Sequence, residues 1–199
     1  RTVLLSITSP GANTTWYNWN GTNYTYTNPI NVTFGEGFNT LHVWANDSLN
    51  NTAYTNVNFT TDTINPSIID NNPIAPGYYN VTKTINISAS NTNTINLSIF
   101  VNGANVNTSN SSNAINLTYQ LSSDGTYSYF ANVSDWVGNT NSTTPVSGII
   151  IDKTPPIITI NSLPTYTNNA TISVTGTFTE TNIANITVNG VNATIGSGV

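Results

Sequence analysis

Residues 84–90 read Thr84-Ile85-Asn86-Ile87-Ser88-Ala89-Ser90, and residues 95–103 read Ile95-Asn96-Leu97-Ser98-Ile99-Phe100-Val101-Asn102-Gly103. Apolar side chains recur at every second position: Ile85, Ile87, Ala89, then Leu97, Ile99, Val101. A period of two marks a strand with one buried face. Asn102-Gly103 follows the second run, and both residues tolerate the positive φ of a two-residue hairpin turn. The alternation continues at 114–121, with Ile115, Leu117, Tyr119 and Leu121 inward. It returns at 126–134, with Tyr127, Tyr129, Ala131 and Val133 inward. Further strands are expected at 67–70 and 145–152, and a turn at 135–139 around Gly138. Six or seven short strands joined by polar turns within about 90 residues predict an immunoglobulin-like β-sandwich. Composition agrees: Val, Ile and Thr sum to 70 residues, and the strong helix formers to 25.

The pattern repeats along the chain. Asn-Gly after a short apolar stretch occurs at Asn20-Gly21, Asn102-Gly103 and Asn189-Gly190. Thr2-Val3-Leu4-Leu5, Thr84-Ile85-Asn86-Ile87 and Thr171-Ile172-Ser173-Val174 each begin 18 residues before that Asn. Residues 37–52 align without gaps on 125–140, pairing Asp47 with Asp135 and Asn51-Thr52 with Asn139-Thr140. Asp-x-x-x-Pro-x-Ile occurs at Asp62, Pro66, Ile68 and at Asp152, Pro156, Ile158. The expected units are 1–66, lacking a first strand; 67–156, complete; and 157–199, an N-terminal half. The chain is therefore expected to be a window of a longer tandem array. Lys153-Thr154-Pro155-Pro156 joins two units within a few residues, and its prolines stiffen the passage. The expected architecture is all-β: tandem sandwiches arranged as an elongated rod.

These motifs carry a resemblance. Phe38-Asn39-Thr40-Leu41-His42-Val43-Trp44-Ala45-Asn46-Asp47-Ser48 followed by Asp62-Thr63-Ile64-Asn65-Pro66, and Val133-Ser134-Asp135-Trp136-Val137-Gly138-Asn139-Thr140 followed by Asp152-Lys153-Thr154-Pro155-Pro156, resemble the tandem Ig-like repeats of archaeal and bacterial cell-surface proteins. The resemblance implies the fold and an extracellular, cell-surface location. It implies stalks, surface-layer components, adhesin shafts or fibres, and no particular chemical activity.

Charge excludes other classes. Lys and Arg number 3 and Asp and Glu 8 in 199 residues. Three cations cannot form a nucleic-acid footprint. No apolar run approaches a membrane span. Zero Cys removes disulfides and thiolate sites. Asn, Thr and Ser number 36, 35 and 19, so the polar surface is almost uncharged and its solvation must come from elsewhere.

The sequon Asn-x-Ser/Thr supplies an answer. It occurs at Asn13, Asn20, Asn23, Asn31, Asn46, Asn50, Asn58, Asn80, Asn86, Asn96, Asn107, Asn110, Asn116, Asn132, Asn141, Asn169, Asn185 and Asn192. These are 18 sites where independent placement of the same composition gives about nine. Asn31, Asn58, Asn86, Asn116 and Asn132 each lie between two apolar residues, so alternation sends them to the solvent face. Covalent N-glycans there would hydrate the surface and shield strand edges. The plainer reading is that Asn and Thr simply suit turns and exposed strand faces.

Other chemistry is thinly represented. His42 is the one His, at a position that holds Phe130 in the second copy, which argues against catalysis. Asp47/Asp135 and Asp62/Asp152 recur at a turn and a linker, which suggests turn capping and linker geometry. Ca2+ near Asp62/Asp70 or Asp152 is the one cofactor worth considering beside none. Trp16, Tyr17, Trp19, Tyr24 and Tyr26 form an aromatic cluster that could pack in the sandwich or stack on sugars. The expectation is a non-enzymatic structural subunit of an N-glycosylated surface fibre, stalk or lattice that associates with itself. Its alternatives are an adhesin or carbohydrate-binding module, or a spacer of a large secreted protein.

Overall fold

The computed structural model describes residues 1–196, and every regular element among them is a strand. The N-terminal part contains β1 (Thr2–Leu5), β2 (Thr14–Asn18), β3 (Tyr24–Thr25), β4 (Ile30–Thr33), β5 (Gly37–Asn46) and β6 (Thr52–Thr61). β1 pairs with β4, and the other four form an antiparallel sheet in the order β3-β2-β5-β6. Tyr17, Val32, Phe34 and Leu41 are buried, with Trp19, Tyr24, Tyr26, Val43 and Phe59 packed on them.

The middle part contains β7 (Ser67–Asp70), β8 (Gly77–Tyr79), β9 (Lys83–Ser90), β10 (Ile95–Val101), β11 (Ala104–Ser111), β12 (Ala114–Leu121), β13 (Gly125–Asp135), β14 (Thr140–Ser142) and β15 (Val146–Ile151). One sheet runs β12-β9-β7. The other runs β11-β10-β13-β15-β8, with β14 also on β13 and β8 parallel to β15. The two enclose the larger core. Ile85, Ile87, Ala89, Leu97, Ile99, Val101, Leu121, Tyr129, Ala131 and Val133 are buried there, on the faces that alternation selects. Ile115, Leu117, Tyr119 and Tyr127 pack at its margin, half-buried.

Asn102 (φ 49°) and Gly103 (φ 79°) make the expected hairpin between β10 and β11. The strand after that turn was not legible from alternation. Apart from Ala104 at the turn, β11 has one apolar residue, Val106; it is held by its backbone ladder on β10, with a bulge at Ile99/Phe100. β8 and β14, three residues each, are equally invisible to periodicity.

Residues 157–196 carry two separate two-stranded ladders. β16 (Ile157–Ile160) pairs with β17 (Gly176–Thr179), and β18 (Thr187–Val188) with β19 (Val191–Asn192). The run 171–174, aligned by sequence with 84–87, is not a strand; the ladder lies further on, at β17. Ile85 and Ile87 are extended and buried because a second sheet closes over them. Their counterparts Ile172 and Val174 are exposed, and no second sheet covers them among the described residues.

Candidate functional site

None of the eighteen sequon asparagines is buried. Asn46, Asn86, Asn96 and Asn107 are half-buried and the other fourteen are exposed. Asn31 follows the expected geometry: Val32 beside it is 1% exposed, while Asn31 itself faces solvent. Asn132 likewise stands outward between buried Ala131 and Val133.

The acceptor nitrogens are not equivalent. Asn107 Nδ2 donates to the Thr118 carbonyl at 3.0 Å, and Asn141 Nδ2 to the Pro66 carbonyl at 3.0 Å. Asn116 Nδ2 donates to Asn86 Oδ1 at 2.9 Å, and Asn96 Nδ2 to Asn110 Oδ1 at 2.5 Å. These last pairs form amide ladders on the outer faces of the two sheets. Asn46 Oδ1 is buried without a partner among the described residues, and its Nδ2 reaches Asn50 Oδ1 at 3.4 Å.

The recurring carboxylates have matched roles. Asp47 Oδ1 accepts from the N–H groups of Leu49 (2.8 Å) and Asn51 (2.9 Å), while Oδ2 accepts from Asn51 Nδ2 (2.8 Å). Asp135 accepts from Val137 (3.0 Å), Asn139 N–H (2.8 Å) and Asn139 Nδ2 (2.8 Å). Each carboxylate closes its turn by satisfying backbone donors that the turn leaves unpaired.

A second pair braces the linkers. Glu36 accepts from the Thr63 N–H at 2.9 Å and also takes the Thr63 hydroxyl. Its counterpart Asp124 accepts from the Lys153 N–H at 2.9 Å and takes the Thr154 hydroxyl. Asp62 and Asp152 then cap their own linkers, from Ile64 N–H (3.0 Å) and Thr154 N–H (3.3 Å). The second oxygen of each takes an asparagine amide from further along the chain: Asn93 for Asp62, and Asn182 at 2.7 Å for Asp152. Asn139 Nδ2 adds a bond to the Asp62 carbonyl at 3.1 Å. The Asp70 carboxylate turns elsewhere and takes the Tyr129 hydroxyl at 2.5 Å. Among the described residues no group of three His, Cys, Asp or Glu side chains converges.

The aromatic cluster divides. Tyr17, Trp19, Tyr24 and Tyr26 face the N-terminal core, and Trp19 Nε1 donates to the Thr33 carbonyl at 3.1 Å. Trp16 points the other way, stacked on Trp44 at 6.4 Å and 10°. His42 and Tyr54 extend that outer stack, with His42 Nδ1 and the Tyr54 hydroxyl 2.8 Å apart. Sequence alone did not bring Trp44 and Tyr54 to Trp16, because strand register does so. No helix among the described residues is long and apolar enough to cross a membrane.

No family model and no curated protein matches the chain. Among solved structures, the fibronectin(III)-like modules of Clostridium thermocellum CbhA are similar over 75% of this chain and 84% of theirs. The identity is 15% and the TM-score 0.38.

Proposed function

We propose that the chain is a non-catalytic structural segment of an extracellular, cell-surface assembly. In this reading an Ig-like repeat lacking its first strand at 1–66, a complete one at 67–156 and the N-terminal half of a further one at 157–199 follow one another as an elongated rod. N-glycans on outward asparagines hydrate it, and copies associate into a fibre, stalk or lattice. The observation that carries the reading is the repeated linker brace. Glu36 with Thr63, and Asp124 with Lys153 and Thr154, hold two linkers in the same way, 88 residues apart on the carboxylate side. A linker gripped through its backbone behaves as a stiff joint rather than a tether. The nearly uncharged surface with eighteen solvent-facing or half-buried sequons supports the glycan coat.

Small-angle scattering on the chain, paired with glycopeptide mass spectrometry on material from its native source, tests this. A rod gives a radius of gyration well above the roughly 16 Å of a compact chain of this length. Occupied sequons are expected in the same material. A compact particle with unmodified asparagines would refute the reading.

A further inference from the structure

We propose that the outer face of the β2-β5-β6 sheet is a binding site for a neutral pyranose saccharide. This goes beyond the structural role above and does not depend on glycosylation.

Strand register sets two rows across that face. Trp16 lies opposite Trp44, and Trp44 opposite Tyr54. In the next row Asn18 lies opposite His42, and His42 opposite Asn56. The first row is a continuous aromatic strip: Trp16–Trp44 centroids are 6.4 Å apart and Trp44–Tyr54 centroids 5.3 Å. It crosses two interstrand steps, about 10 Å, room for roughly two six-membered rings. A cleft of about 590 Å3 lies alongside, lined by Asn18, Phe38, Thr40, His42, Trp44 and Tyr54 among others.

The polar row is arranged to recognise hydroxyls. Asn56 Nδ2 donates to the Tyr54 oxygen at 2.9 Å, and the Tyr54 hydroxyl meets His42 Nδ1 at 2.8 Å. The other ring nitrogen of His42, Nε2, has no partner among the described residues and donates or accepts according to the tautomer. Asn56 Oδ1, without a partner among the described residues, adds an acceptor beside it, whereas Asn18 accepts from the Gly21 N–H at 2.8 Å and donates to Asn23 Oδ1 at 2.9 Å. No Asp, Glu, Lys or Arg lines the cleft, so its ligand is uncharged. A pyranose offers a C–H face to the rings and hydroxyls at its rim. An apolar protein face would instead strand His42 Nε2 and Asn56 Oδ1 without water.

The fold does not require this strip. The middle sandwich places Ser98, Asn132 and Ser142 at the positions of Trp16, Trp44 and Tyr54, in the same register. Its own outer aromatics, Phe100 and Phe130, sit one row over, at the positions of Asn18 and His42, and bring no polar atom. Aromatic residues in the first row are therefore a property of one unit and not of the architecture.

The occupant is a saccharide from outside the chain. A glycan on Asn58 of the same face, opposite Thr40, is the competing source, and unglycosylated protein separates the two. The test is calorimetric titration of the unglycosylated full chain with neutral gluco-, manno-, galacto- and N-acetylglucosamine oligosaccharides. Saturable binding to at least one is expected. It should weaken about tenfold or more in Trp44→Asn and in Tyr54→Ser, given the size of aromatic contacts. Trp16→Ser should weaken it too, and Trp136→Ala, at an exposed Trp elsewhere, should leave it unchanged. The three strip substitutions install residues that the middle unit already carries, and circular dichroism checks that each variant folds. No saturable binding by folded protein, or binding unchanged in folded Trp44→Asn, would overturn the proposal.

Discussion

Glu36 accepts the backbone N–H of Thr63 at 2.9 Å, tying the loop between β4 and β5 to the linker that follows β6. The Thr63 hydroxyl, then its N–H, hold the Glu36 carboxyl below the usual carboxylate range. The Thr154 hydroxyl and the Lys153 N–H do the same for Asp124. A lowered folded-state pKa contributes stability above the unfolded pKa and loses it as pH falls through the folded value. Both linkers should therefore loosen in acid, below about pH 4. Hydrogen-exchange protection of the Thr63 and Lys153 amides should fall there ahead of the β9 and β10 amides. Simultaneous loss in all four places would mean that the brace is not a local device.

Asp135 should matter more than Asp47, although both close the same turn. Asp135 is 8% exposed and Asp47 is half-exposed. Burial alone would raise the Asp135 pKa, but bonds from the Asn139 side chain and from backbone N–H groups outweigh it and bring it down. Asp135→Ala strips acceptors from Val137 and Asn139, at a cost of about 1–3 kcal/mol. Asp135→Asn should recover part of that. The corresponding change at Asp47 should be smaller. Denaturant midpoints of the three variants check the order.

Tyr129 joins the two sheets. Its hydroxyl donates to Asp70 Oδ2 at 2.5 Å and accepts from the Ile74 N–H at 3.2 Å. Tyr129→Phe keeps the ring but leaves that buried N–H unpaired, so a loss of about 1–3 kcal/mol is expected. Burial first, then the bond to Asp70, pushes the hydroxyl up to about 12. A raised folded pKa means that stability is full below the ordinary tyrosine value and is lost as pH rises toward 12. The wild-type protein should weaken on that alkaline limb and Tyr129→Phe should not share that loss. Melting curves from neutral pH upward compare them.

Sequon occupancy should follow the freedom of Nδ2. Asn107 and Asn141 spend that nitrogen on the carbonyls of Thr118 and Pro66, the latter inside a linker. Asn13, Asn31 and Asn132 are exposed and show no such bond among the described residues. Glycopeptide analysis of native material should find higher occupancy at the second set. Equal occupancy would show that attachment precedes these contacts.

Much of the fold was legible residue by residue, because burial imposes a period of two. Ile85/Ile87/Ala89 and Leu97/Ile99/Val101 announced their strands and their inward faces, and Asn102-Gly103 announced the hairpin. The recurrence of Asp47 with Asp135 foretold a shared turn cap, since such a turn leaves the same donors open wherever it recurs. Strands without an apolar alternation of their own, β8, β11 and β14, carried no such signal. Residues 171–174 carried the signal without becoming a strand, for want of a covering sheet. The brace by Glu36 and Asp124 and the aromatic row of Trp16, Trp44 and Tyr54 were likewise unreadable. They join residues distant in the chain, and only strand pairing and its register decide which side chains become neighbours.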